Sequence, residues 1–173
     1  RIEPGSQGIG RLARCGDIPL GYYKAPEKTA EIFVTDPEGV RWVLPGDWAC
    51  VEDDGTITLL GRGSQCINSG GEKIFPDEIE GVIVQHPKVR HAAVVGVPDP
   101  QWMERVVALV ELMDSDDLLS LAELQTHCRE QLAGYKVPRQ LVLGPIARTV
   151  TGKVDTIRAA ERAREADYIM ETL

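Results

Sequence analysis

The sequence predicts a β-rich opening stretch through residue 60, followed by a small α+β domain whose short sheet is covered by helices. Three observations carry this. The first is a hairpin pattern late in the opening stretch, where Trp48–Val51 and Thr56–Leu59 flank Asp54-Gly55, a pair suited to a tight turn. The second is the change in periodicity after Cys66, from turn-rich strands to alternating helix and strand signals. The third is the density of glycine and charge in GRGSQCINSGGEKIFPDEIE, residues 61–80, between the two parts.

In chain order, Gly8–Ala13 reads as a short strand, and APEKTAEIF at residues 25–33 as a turn or short helix. Pro76 at a first helical position, with Asp77 and Glu78 behind it, opens a helix to about Gln85. Ile79, Val82 and Ile83 share one face of it. Ala92–Val97 and Arg105–Leu112 read as apolar strands joined by a Pro98-Asp99-Pro100 turn. Ser120 and Glu123 form a capping box for a helix carrying Leu121, Leu124, Cys128 and Leu132, which Gly134 can end. Gln140–Leu143 is a third strand, and Asp155 caps a last helix to about Ala166.

With 173 residues, 43% hydrophobic and 27% charged, the chain has the composition of an ordinary globular protein. A net charge of -8 argues against a general nucleic-acid or anionic-membrane binder, because both need a basic surface. It does not forbid an anionic nucleotide in a local basic pocket. No apolar run approaches the roughly 20 residues of a membrane helix, and no signal-peptide segment opens the chain, so a cytoplasmic location is expected. The four cysteines form no C-x-x-C pair and the three histidines share no spacing, so no metal site is expected.

Single residues carry the chemistry. Asp47 stands at the start of a strand, where its carboxylate either holds a ribose diol or is simply solvated. Arg62 offers forked donors for ribose or phosphate oxygens, or pairs with a nearby acid. Gly70 and Gly71 leave a loop without side chains, open to a thin ligand, or form a plain turn before the helix. Lys153, in a Thr-Gly-Lys loop, either reaches a neighbouring cleft or is a solvated loop lysine. Lys136 and the basic run Arg158, Arg162 and Arg164 are candidates for phosphate contact, but the arginines, near helical spacing with Glu161 and Glu165 among them, read more readily as a solvated ion-pair face.

The order of these motifs, Gly46-Asp47, then Gly61-Arg62 with Gly70-Gly71-Glu72, then Gly152-Lys153, resembles the late motifs of the adenylate-forming superfamily. The loops GRGS, CINSGGEK and AGYKVPR are most similar to the actinobacterial FadD type of fatty-acyl and steroid CoA ligases. That resemblance implies an AMP-forming acid-thiol ligase with ATP, Mg2+ and CoA as substrates or cosubstrates. A carboxylic acid is activated to acyl-AMP, and the acyl group is then passed to CoA. Residues 1–60 would end a large N-terminal domain, 61–65 would be a hinge pivoting at Ser64, and 66–173 a mobile C-terminal domain. Lys153 would be the catalytic residue of adenylation, Asp47 and Arg62 would bind nucleotide, and Gly70 and Gly71 would line the CoA channel. Pro45 and Ser64 depart from the family pattern, which has threonine at the first position and aspartate or lysine at the second. The partner implied is the N-terminal domain of the same enzyme, without which the chain is expected to be inactive. Two alternatives stand beside this: an adenylation domain that loads a carrier protein, and a non-catalytic module that binds a nucleotide or partner.

Overall fold

The computed structural model describes residues 2–6, 8–114 and 116–170. Its contacts divide the chain into two compact units, one ending at Ser64 and the other beginning at Gln65.

The first unit holds a three-stranded antiparallel sheet in the order β1 (Ile9–Arg11), β4 (Asp47–Val51), β5 (Ile57–Arg62). The β4–β5 hairpin is the one the Asp54-Gly55 signal predicts. Its turn is closed by the Glu52 N–H on Thr56 O at 2.9 Å, and the Asp54 carboxylate accepts from the Thr56 N–H at 2.8 Å. A second hairpin, β2 (Phe33–Thr35) with β3 (Arg41–Val43), follows the short helix α1 (Pro26–Ile32). The sequence reading missed this hairpin, since its strands are three residues long and their alternation is too brief to stand out.

In the second unit the sheet is built around β9 (Met103–Leu112), which pairs antiparallel with β8 (Val89–Asp99) and parallel with β10 (Gln140–Leu143). Because β8 and β10 both pair with residues 107–110 of β9, they lie on opposite sides of it. Near its start β9 also meets the hairpin of β6 (Ile67–Ser69) and β7 (Glu72–Ile74), through Ser69 and Met103. Both faces of the sheet are covered. Val94, Val106, Ala108 and Val110 pack with Ile79 and Ile83 of α2 (Pro76–Ile83) and Leu124 and Cys128 of α3 (Leu121–Arg129). Ala93, Val95, Val107 and Leu109 pack with Ala159 and Ala163 of α4 (Thr156–Met170). Alternate residues of β9 thus serve two cores, which is why its sequence is a continuous apolar run rather than an alternating one. Each fully buried Val, Leu or Ile here contributes about 1.5–3 kcal/mol.

Three local expectations need correction. The helix α3 ends at Arg129, before Leu132, where its last turn tightens: the Glu130 N–H bonds to His127 O at 3.3 Å and the Gln131 N–H to Cys128 O at 3.2 Å, each three residues back. Gly134 then heads a separate 3-10 turn to Lys136. The capping box is half formed: Ser120 Oγ accepts from the Glu123 N–H at 3.1 Å, but the Glu123 carboxylate is taken by Lys88 Nζ at 2.8 Å. Finally, Arg162 is no solvated ion-pair residue. It donates to Leu143 O at 2.7 Å and to Pro145 O, tying α4 to the end of β10.

Candidate functional site

Two groups of the sequence-predicted residues are brought together, one in each unit. In the first unit, Asp47 opens β4 and Arg62 closes β5, directly opposite each other in the ladder. Arg62 Nε lies 3.4 Å from Asp47 Oδ1. The arginine side chain is 62% exposed and the carboxylate 29%, so the forked donors and the second carboxylate oxygen remain available to a ligand. The Gly63 N–H on Gly46 O, at 3.2 Å, closes the same end of the hairpin. The backbone of Ser64 lies within a 3-10 turn, Gly63–Gln65, and its side chain lies outside the described residues.

In the second unit, Gly70 and Gly71 form the two-residue turn of the β6–β7 hairpin, with φ of 61° and 90°. Positive φ at both central positions is the geometry that follows the strand twist, and glycine adopts it without a Cβ penalty. The sequence reading offered a side-chain-free loop or a plain turn before the helix, with no strand on either side of it. The pattern that would have revealed the hairpin is Ile67-x-Ser69 mirrored by Glu72-x-Ile74 about a Gly-Gly pair. The turn is held from one side: the Gly70 N–H donates to Trp102 O at 2.8 Å, and a Cβ on Gly70 would meet the Trp102 ring at 3.1 Å. Gly71 faces open space. Arg139 stacks on the outer part of this cluster, its guanidinium 4.1 Å from the Trp102 ring centroid. Neither Trp102 nor Arg139 was singled out by sequence, where each stands alone in an apolar or turn context.

Met103, which follows Trp102, holds φ of 67° while 68% exposed. A left-handed non-glycine residue costs about 1–2 kcal/mol, so the three-residue turn from Asp99 to Met103 is fixed by something other than its own preference. The Asp99 carboxylate does this, accepting from the N–H groups of Gln101 at 2.9 Å and Trp102 at 3.0 Å. Together with Arg105 at 3.6 Å, these bonds outweigh its desolvation and hold its carboxyl below the usual range.

Lys153 lies at the end of a hairpin-like turn that precedes α4. Its side chain is exposed, and among the described residues no carboxylate or carbonyl holds its ammonium. It borders a cleft of about 320 Å3 whose wall includes Gln65, Asp77, Glu80, Val94 and Thr156. Glu80 is the unusual wall residue: burial pushes its carboxyl up from the ordinary value, against the pull of a 2.7 Å hydrogen bond from the Val94 N–H. Asp155 caps α4 as expected, its Oδ1 accepting from the Arg158 N–H at 3.2 Å. Lys136 is not available for phosphate, because its ammonium is bound by both oxygens of Glu78 at 2.6 and 2.7 Å. Among the described residues no group of three or more His, Cys, Asp or Glu side chains is placed to hold a metal ion.

Residues 78–153, within the second unit, match the model of the family described as AMP-binding enzyme C-terminal domain. Over 97% of its length the chain is 53% identical to the 3-oxocholest-4-en-26-oate--CoA ligase of Rhodococcus rhodochrous. It is 50% identical, over the same share, to a medium/long-chain-fatty-acid--CoA/3-oxocholest-4-en-26-oate--CoA ligase of Mycobacterium tuberculosis. The chain spans 30% and 31% of the length of these two relatives. Among solved structures it resembles the o-succinylbenzoate CoA synthetase of Bacillus subtilis in complex with its acyl-adenylate intermediate. That likeness has a TM-score of 0.79 at 29% identity, and covers 91% of this chain and 31% of that one. No helix among the described residues is long and apolar enough to cross a membrane.

Proposed function

We propose that the chain is the C-terminal portion of an AMP-forming acyl-CoA ligase acting on fatty or steroid carboxylic acids in the cytoplasm. In the first half-reaction a carboxylate oxygen attacks the α-phosphate of Mg-ATP and pyrophosphate leaves, giving acyl-AMP. In the second, the thiol of CoA attacks the acyl carbonyl and AMP leaves as the thioester forms.

The observation that carries this reading is the Lys153 ammonium, which has no carboxylate or carbonyl partner among the described residues, on an exposed turn of the matched domain. Negative charge builds on the reacting oxygens as the acyl phosphate bond forms, and a positioned cation stabilises that state more than the ground state. A lysine already bound to a carboxylate would have to break that pair first. Asp47 and Arg62 suit the nucleotide, the carboxylate accepting from the ribose hydroxyls and the guanidinium donating to oxygens of ribose or phosphate. Turning of the C-terminal domain about residues 61–65, with Ser64 as pivot, would withdraw Lys153 and bring the Gly70-Gly71 turn to the site. A hairpin tip without side chains, backed by Trp102, would admit the narrow pantetheine arm. The choice of fatty or steroid acid is supported by what the two bacterial relatives are named for.

The test is a chimeric ligase in which this chain replaces the matching segment of the Rhodococcus relative. Carboxylate-dependent exchange of pyrophosphate into ATP and release of a CoA thioester are expected. A chimera that melts cooperatively and binds ATP, yet makes no acyl-AMP from any fatty or steroid acid the parent accepts, would overturn the reading.

A further inference from the structure

The turn that carries Lys153 has no apolar support. Thr149, Val150, Thr151, Gly152 and Lys153 are all exposed, so hydrogen bonds alone decide its shape. Those bonds come from the two residues that precede the tip. The Thr149 N–H donates to Lys153 O at 2.8 Å, and Thr149 Oγ1 faces the same carbonyl at 3.3 Å. The same hydroxyl lies 2.9 Å from Thr151 Oγ1. The Gly152 N–H returns a bond to Thr149 O at 2.9 Å, and Arg148 Nη1 reaches across to Gly152 O at 3.0 Å. Below them Arg148 bridges Val154, and the Asp155 N–H donates to Ala147 O at 2.9 Å, which joins the turn to the cap of α4.

We propose that Thr149 and Arg148 are positioning residues for Lys153, a role that rests on the adenylation reading above. The Thr149 hydroxyl holds the carbonyl of Lys153 itself, and the Arg148 guanidinium holds the carbonyl just before it. Between them they fix the peptide from which the lysine side chain departs. A long, flexible ammonium is useful in a transition state only if its base is fixed, since misplacement by about 1 Å can cost on the order of a hundredfold in rate. Neither side chain reaches a reacting atom in this assignment. Both act through the backbone of the turn.

The test uses Thr149→Val, which keeps the shape of threonine and removes the hydroxyl, Thr149→Ser, which restores it, and Arg148→Ala, each in the chimeric ligase. Thr149→Val and Arg148→Ala are each expected to lower kcat for pyrophosphate exchange about three- to tenfold, with KM for ATP and acid unchanged, as for an interaction realised only in the transition state. Thr149→Ser should recover most of the loss. Thioester formation from supplied acyl-AMP and CoA should be unaffected in all three. Exchange equal to wild type in both Thr149→Val and Arg148→Ala would overturn the inference. So would an equal fall in both half-reactions, or a loss that serine does not recover, since either marks a purely structural role. Lys153→Ala measured alongside separates the two readings. If it lowers exchange and the turn variants do not, only the positioning role falls; if it leaves exchange intact, the adenylation role of Lys153 falls and takes the positioning role with it.

Discussion

Asp47 and Arg62 face each other across the β4–β5 ladder, with Arg62 Nε 3.4 Å from Asp47 Oδ1. A pair this exposed contributes at most about 1 kcal/mol to folding. Its arrangement is better suited to binding, because each partner keeps hydrogen-bonding capacity toward solvent. In the chimeric ligase, Asp47→Ala is expected to raise KM for ATP by about tenfold or more, in line with lost hydrogen bonds to a charged group. Its melting temperature should barely move. A double-mutant cycle with Arg62→Ala, read by urea denaturation of the chain, should give a coupling below about 1 kcal/mol. A large stability coupling with unchanged KM would assign the pair to structure instead.

The glycine pair separates in a different way. Both residues hold positive φ, so alanine at either should cost about 1–2 kcal/mol of stability. Gly70→Ala should cost more than Gly71→Ala, since only the first places a methyl against the Trp102 ring. Urea denaturation of the two variants ranks them directly. Equal losses would mean that Trp102 yields and does not buttress the turn.

Much of this was legible in sequence, and the failures have physical causes. The β4–β5 hairpin, the core strands β8 and β9, the Ser120 cap and the Asp155 cap follow from local chemistry that a single segment carries. The Gly70-Gly71 hairpin was missed because its strands are three residues each and the helix signal at Pro76 begins immediately after them. Lys136 was misread because its partner, Glu78, stands 58 residues away in sequence. The places of Trp102 behind the Gly70 turn, of Glu80 in the cleft wall and of Thr149 in the Lys153 turn depend likewise on contacts between segments, or on a turn whose register only the folded backbone fixes.

The joint of α2 and α3 should respond to pH. His86 is buried, with Nε2 3.6 Å from Glu123 Oε1, its ring edge-on to His127 at 5.1 Å, and Lys88 bonded to the same carboxylate. Burial first, then the neighbouring His127, hold its pKa below the ordinary value, and Glu123 only partly offsets them. The unfolded chain therefore takes up this proton at higher pH than the folded one does. The stability contributed by neutral His86 is complete above about pH 6.5 and is lost as pH falls through the lower, folded value. Glu80, raised by burial, acts in the opposite sense, so the useful quantity is a difference. Between pH 7.5 and 5.5 the chain should lose more stability to urea than a His86→Gln variant does. Parallel losses would remove His86 as the cause.

The central claim is that Lys153 serves adenylation and nothing after it. The most direct measurement is pyrophosphate exchange by the chimeric ligase with Lys153 intact and with Lys153→Ala, followed by thioester formation from supplied acyl-AMP and CoA. Loss of one positioned charge from a transition state costs about 10²–10³-fold, so exchange should fall by that factor while the thioester step keeps its rate. Exchange that survives the substitution, or a thioester step that falls with it, would contradict the account.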